Sequence, residues 1–491
     1  MKPKHFLLPA LLCCMACAPR DEVQITVSTE IISEGYIGNG VEWDPYDEAE
    51  AWGAAISDND WRQLFARLDF MRPGYVRCMI NSPYRYYDAA TGNYDKTRNI
   101  ASIARLLQYC TDRNITVMYG EYNPPSWSMK ADQRWIDMSV DYLNYLVNDL
   151  GFSCIKYFVI FNEPDGNWAS TNGDYLLWKS ILHRFADKMR QYPTLSEKVK
   201  FAGPDVVMEY KNAASMYDAV GWVQQTVADA DSFIGLYDVH AYPGQAEVRS
   251  GTYAERLAAY KQPLPEGKKI VLGEAGYKYW RTADSLLMRE YRRRAAEHPL
   301  TRGSDANMFV YDYFYGLDMA LLCMEVMNSG YSGMAAWMLD DAMHSNGDAG
   351  KPEDIKLWGM WNILGSEVFN DPAQENIRPW FYTWSLMCRW FPAGATILEA
   401  GIDRTQGIFA AVAEYRGQYT AAFVNIGHHD RNIKLLLPSK MERASLYVYE
   451  EGCRPVDADG HPVPVKSEME INKRFQTALK AQSFQLITNM E

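Results

Sequence analysis

The sequence predicts an α/β chain in which a (β/α)8 TIM barrel is followed by a small all-β domain of sandwich type. Three observations predict it. Eight short apolar runs alternate with helix-period segments from about Gly35 to Trp390. After Pro392 the alternation stops, and strands follow one another without intervening helices. The first glycine-rich turn, Gly35-Tyr-Ile-Gly38-Asn-Gly40, has its glycines in the wrong order for the phosphate turn that a doubly wound sheet would carry.

The predicted barrel strands are Ile37–Glu42, Tyr75–Ile80, Thr116–Glu121, Tyr157–Asn162, Lys200–Gly203, Leu236–Ala241, Lys269–Glu274 and Ser332–Leu339. Amphipathic helices are expected between them, over Asn59–Phe70, Ile100–Arg113, Ile136–Leu150, Asp174–Arg190 and Asn307–Met327. Ser57 with Asp60 reads as a capping box, and Gly151 as a helix terminator. Beyond the barrel, Gly407–Tyr415 and Tyr419–Ile426 form a hairpin around Arg416-Gly417. Asn432–Leu437, Ser445–Glu450 and Phe484–Ile487 add further strands. The barrel is assigned to residues 31–391 and the β-domain to 392–491, which the segment 22–30 can join as an extra strand.

Composition narrows the function classes. Of 491 residues, 48% are hydrophobic and 23% charged, enough for a sizeable core. The formal net charge of −13, without a basic stripe, excludes nucleic acid as the expected partner. The 15 Trp and 33 Tyr suit stacking on ligands as well as core packing. At the N-terminus, Lys2 and Lys4 precede an apolar run from Phe6 to Cys14, too short to span a bilayer, and then Cys14-Met15-Ala16-Cys17. Residues 1–17 thus resemble a bacterial lipoprotein signal, with Cys17 as the lipidated first residue of the mature chain. An ordinary signal peptide cut near Ala16 or Ala18 is the alternative. Either reading exports the chain; the first places it in the cell envelope, touching the membrane only through a lipid anchor. Six cysteines remain without close spacing, so no zinc site, disulfide framework or other metal centre is expected.

Side chains that do chemistry on a barrel of this kind sit where strands end at the C-terminal face. The polar residues closing the predicted strands are Glu42, Arg77, Glu121 with Asn123, Asn162 with Glu163, Asp205, His240 with Tyr242, Glu274, and Trp337 with Asp340. Glu163 and Glu274 stand out because each ends an uninterrupted apolar strand. Those strands, the fourth and seventh, can face each other across a closed barrel. Two such carboxylates are what glycoside hydrolysis requires, one to protonate the leaving oxygen and one to attack or to activate water. A single strand-end Glu is as often a solvated or ion-paired carboxylate; two, one of them within Asn162-Glu163-Pro164, argue against that. Gly273 leaves room beside Glu274 where a substrate could approach.

Asn162-Glu163-Pro164 closing the fourth strand, with Glu274 closing the seventh, resembles clan A of the glycoside hydrolases, nearest to families 30 and 39 and less near to family 5. The resemblance covers the barrel and extends to Arg77 in "VRCMI", to His240 and Tyr242 in "DVHAYP", and to Trp337 in "AAWML". It implies a retaining hydrolase of a β-linked glycan, with Glu163 as acid/base and Glu274 as nucleophile. It also implies that Trp337 floors the subsite of the cleaved sugar and that no cofactor is needed. Under those roles Glu163 should have a raised pKa while Arg77 and Tyr242 hold Glu274 ionised, and Asn162 should bind the sugar 2-hydroxyl. Substrate contacts are also expected from Asn123, Trp43 and Trp127, and further stacking surface from Trp52, Trp358 and Trp361, with about half of these five tryptophans expected to be ordinary packing residues. A different class, a non-catalytic glycan-binding surface lipoprotein on the same scaffold, would not need both carboxylates.

Overall fold

The computed structural model describes residues 22–281, 284–298, 305–345, 355–402 and 404–491. The signal segment and Cys17 lie outside these residues. Strand β1 (Glu22–Ser33) leads into β2 (Gly38–Glu42) and β3 (Tyr75–Ile80), followed by a minimal hairpin of β4 (Tyr87–Asp88) and β5 (Asn93–Tyr94). Next come β6 (Thr116–Glu121), β7 (Ile155–Val159), β8 (Lys200–Val207), β9 (Ile234–Ala241), β10 (Ile270–Ala275) and β11 (Gly333–Ala336). The strands β2, β3 and β6 to β11 close into an eight-stranded parallel barrel. The α/β barrel expected from the alternation is therefore present.

Each barrel strand is followed by a helix that covers its outer face. The first, Asp58–Met71, starts at the Ser57–Asp60 capping box, and both of its reciprocal hydrogen bonds are made. The sixteen residues Tyr313–Asn328 are apolar nearly all round because the helix lies between the barrel and the β-domain. The helix expected over Ile136–Leu150 begins earlier, at Gln133, and its last turn, Tyr145–Asp149, is a π turn before Gly151.

The remaining strands are β12 (Thr396–Gly401), β13 (Ile408–Tyr415), β14 (Gln418–Asn425), β15 (Arg431–Leu436), β16 (Met441–Tyr449), β17 (Lys466–Ile471), β18 (Arg474–Leu479) and β19 (Ser483–Thr488). With β1 they form one nine-stranded sheet in the order β17-β16-β19-β14-β13-β12-β1-β15-β18. Its two ends meet: Ile433, Leu435 and Leu479 share one apolar core with Met441, Leu446 and Ile471, which makes the sheet a sandwich. Strand β13 is buried on both faces. Ile408, Ala410 and Val412 face that core, while Phe409, Ala411 and Ala413 join the core of the barrel helices. Arg416 and Gly417, both at positive φ, make the two-residue turn between β13 and β14. Among the described residues no helix is long and apolar enough to cross a membrane.

Inside the barrel, Tyr75, Met79, Met118, Val159, Ala202, Leu236, Val271 and Ala335 form an apolar plug. Strand alternation sets Leu236, Asp238 and His240 on one inward row of β9, so that β9 climbs from the plug to charged groups at the mouth.

Candidate active site

Two local distortions aim carboxylates into the barrel. In β10, Val271 points in and Leu272 out, so plain alternation would turn Glu274 outward. A register shift between Leu272 and Glu274 interrupts the pairing with β9 and turns Glu274 inward. A Cβ on Gly273 would collide with both carboxyl oxygens of Asp238, so the room at this glycine is taken by a buried acid and not by substrate. In β8 a second shift, between Pro204 and Val206, brings Asp205 to the interior with φ of 64°. Glu163 follows β7 after a short turn, at φ 47°, with its backbone N–H donating to Asp205 at 3.0 Å.

Arg77 is the hub of the site and is fully buried. One terminal nitrogen donates to Glu42 at 2.9 Å and to Glu274 Oε1 at 2.7 Å; the other donates to Asn162 Oδ1 at 2.8 Å and Asp205 at 3.1 Å. Tyr242 donates its hydroxyl to Glu274 Oε2 at 2.6 Å. His240 lies between the acids, with Nδ1 2.9 Å from Glu163 Oε1 and 3.4 Å from Glu274 Oε2, and Nε2 3.1 Å from Asp205. One oxygen each of Glu163 and Glu274 lies within 4.8 Å of the other and of the His240 ring nitrogen. Glu163 Oε2 accepts from the indole Nε1 of Trp168 at 2.6 Å.

Charge balance places the protons. Burial works against the imidazolium of His240, but Asp205 and Glu274 outweigh it and raise its pKa well above the usual histidine range. Burial would raise Glu163, yet hydrogen bonding and charge from His240, with Lys278, pull it below the ordinary carboxylate value. This corrects the expectation of a raised Glu163. Both directions favour the proton on His240, one hydrogen bond from Glu163. Burial lifts the Glu42 carboxyl well above its normal range despite Arg77.

A second cluster adjoins the first. Tyr122 donates to Asp44 at 2.6 Å and lies 3.4 Å from Glu42, while His344 Nε2 is 2.7 Å from Asp44. The His344 ring stacks on Trp337 with centroids 5.1 Å apart, and the Trp337–Met338 peptide is cis. Trp337 is 7% exposed. Lys278 lies over the Tyr242 ring at 4.1 Å, and Lys356 over Trp337 at 5.7 Å.

The residues singled out in the sequence divide accordingly. Arg77, Asn162, Glu163, His240, Tyr242 and Glu274 converge, with Trp337 beside them. Trp43 does not face substrate: it is fully buried outside the barrel, edge-on to Phe65 and Tyr109, because it follows the inward Glu42 and so points to the helix layer. Trp358 and Trp361 are likewise buried in the core. Asn123 uses its side-chain oxygen to hold the Ser170 N–H, and its role here is to tie loops together. Trp127 is 52% exposed in a short turn after β6 and makes no hydrogen bond or ring contact with the cluster. The sequence marked Asp205 only as a strand-end polar residue without a role, and did not single out Asp44, Trp168, Asp238 or His344. Asp238 could have been found, since it lies two residues before His240 on the same strand face. His344 sits in a loop with no periodic signal.

No family model matches the chain, and no curated protein is similar to it in sequence. Solved structures share its fold along nearly the whole chain. A family 30 endoxylanase from Clostridium papyrosolvens is 13% identical, with 95% of this chain and 99% of that one covered and a TM-score of 0.59. A family 39 β-xylosidase from Caulobacter crescentus is 12% identical over 95% and 99%, with a TM-score of 0.60. A conserved exported protein from Bacteroides fragilis is 12% identical over 94% and 99%, with a TM-score of 0.63. A barrel with an appended β-sandwich, of the kind found in glycoside hydrolase families 30 and 39, is the architecture of this chain.

Proposed function

We propose that the protein is a retaining glycoside hydrolase acting on a β-linked oligo- or polysaccharide, with Glu274 as nucleophile and Glu163 as acid/base. The observation that carries this reading is that one oxygen of each carboxylate lies within 4.8 Å of the other at the barrel mouth, bridged by His240 with no room left for an intervening water. Retaining pairs stand about 5–5.5 Å apart, whereas inverting pairs leave about 6.5–9.5 Å for a water. Glu274, held by Arg77 and Tyr242, attacks the anomeric carbon as the glycosidic C–O bond breaks. His240 first passes its proton through Nδ1 to Glu163, which gives it to the leaving oxygen and is left ionised as the base for the second step. Water then gives its proton to Glu163 and its oxygen to the anomeric carbon, releasing Glu274. Trp337 and Asn162 are assigned to the cleaved sugar. A surface that only bound glycan would have no use for two carboxylates held by Arg77, Tyr242 and His240 in this register.

The endoxylanase and β-xylosidase activities named for two structural relatives are the first to assay. Retention is tested by NMR of the product anomer at early times; an inverted product overturns the assignment. Glu274→Ala should abolish turnover. Glu163→Ala should lose about 10²–10⁴-fold on unactivated glycosides while sparing activated aryl glycosides, with partial rescue by azide. The N-terminal motif supports attachment to the cell envelope through Cys17. Mass spectrometry of the N-terminal peptide tests it, with an unmodified Cys17 favouring a cleaved signal.

A further inference from the structure

Beneath the groups assigned to catalysis, Asp238 is fully buried, and neither of its carboxyl oxygens meets a donor among the described residues. It points inward from β9, two residues before His240. An oxygen of Asp238, an oxygen of Asp205 and a ring nitrogen of His240 all lie within 4.8 Å of one another. Gly273 abuts its other side. The charged and titratable groups facing this pocket are Tyr75 and Arg77 from β3, Glu42 from β2, Asp205 from β8, His240 from β9, and Glu163 and Glu274 at the mouth. Arg77 spends its terminal nitrogens on Glu42, Glu274, Asn162 and Asp205, its Nε makes no hydrogen bond, and among the described residues no cation bonds to Asp238.

An ionised carboxylate without donors is strongly disfavoured in such a place, and two adjacent carboxyls cannot both ionise cheaply. Asp205 accepts from Arg77, His240 and the Glu163 N–H, so the charge belongs on Asp205 and the proton on Asp238. A contact between the two is a hydrogen bond only if one is protonated. We propose that Asp238 is held as the neutral acid, donating to Asp205, and that it is a positioning residue setting how firmly the Asp205–His240–Glu163 chain keeps its proton. Burial and the Asp205 charge raise Asp238 well above its ordinary range, while Arg77 and His240 hold Asp205 well below its own, against burial. By sharing the Asp205 charge, Asp238 leaves that carboxylate a weaker partner for His240, whose proton can then pass to Glu163. The inference rests on the acid/base role proposed for Glu163.

Two variants and two readouts test it. Asp238→Asn keeps a neutral donor of the same shape; Asp238→Ala removes the donor. Infrared spectra of the whole protein should contain a protonated-carboxyl band that Asp238→Asn removes. The basic limb of kcat/KM against pH, measured on an aryl β-glycoside, should stay in place in Asp238→Asn and move upward by about one unit in Asp238→Ala. A missing band overturns the proposal whether or not the protein turns over a glycoside. So does a limb displaced downward by about 1–3 units in Asp238→Asn, the signature of a lost negative charge. An unmoved limb in a folded Asp238→Ala variant would reduce Asp238 to a packing residue. A band present without any turnover leaves the Asp238 proton in place and overturns only the acid/base reading.

Discussion

Trp168 Nε1 donates to Glu163 Oε2 at 2.6 Å, while His240 holds the other oxygen of the same carboxyl at 2.9 Å. Glu163 is thus gripped from both sides. The buried grip governs protonation; the outer one belongs to an indole that is 39% exposed and packs against Tyr210, with ring centroids 4.5 Å apart. Being exposed and adjacent to the proposed acid, this pair stands where a leaving group would arrive.

Trp168→Phe keeps the ring and deletes the donor. The expected loss is about tenfold in kcat/KM, the equivalent of one hydrogen bond worth about 1.4 kcal/mol. It should grow with the pKa of the leaving group, because poor leaving groups depend most on a correctly aimed acid. A series of aryl glycosides gives the dependence directly, and a uniform loss across the series would assign Trp168 to binding alone.

The barrel and its carboxylate-bearing strand ends were legible because apolar runs closing on Asn162-Glu163 and on Glu274 are local signals. The helix layer was legible for the same reason, down to the Ser57 cap. What was not legible depends on bulges and on loop packing. Asp205 follows Gly203-Pro204, which reads as the end of a strand, yet β8 continues to Val207 and its register shift aims the side chain inward. Trp43 shows the converse error: a tryptophan beside a strand end looks like a sugar platform until alternation turns it to the helix side. Gly273 is required by the Asp238 carboxyl, a contact between two strands that no single stretch of sequence contains.

Arg77→Lys should be far from conservative. The planar fork serves Glu42, Glu274, Asn162 and Asp205 from two nitrogens, and one ammonium cannot reach that set. Breaking a buried network of this kind costs about 3–5 kcal/mol. A markedly lower Tm is expected, together with loss of turnover that outlasts any stabilising additive. A variant with near-native Tm and activity would remove Arg77 from its central place.

His344 is buried, which opposes its charged form, but its hydrogen bond to Asp44 and the Glu48 carboxylate 4.0 Å from its other ring nitrogen outweigh burial and lift its pKa to about 9. In the unfolded chain a histidine titrates near ~6.5. Because the folded value is the higher one, the protonated imidazole stabilises the fold fully below about pH 6.5, and that contribution fades as pH rises through about 9. The shift corresponds to a contribution on the order of 3 kcal/mol. Denaturant unfolding of the wild type and of His344→Gln should therefore differ most near pH 6 and converge near pH 10. Since His344 stacks on Trp337, the same rise in pH should loosen the floor assigned to the sugar, raising KM before the protein unfolds. A stability gap between the two proteins that stayed constant from pH 6 to 10 would show that folding does not raise the His344 pKa.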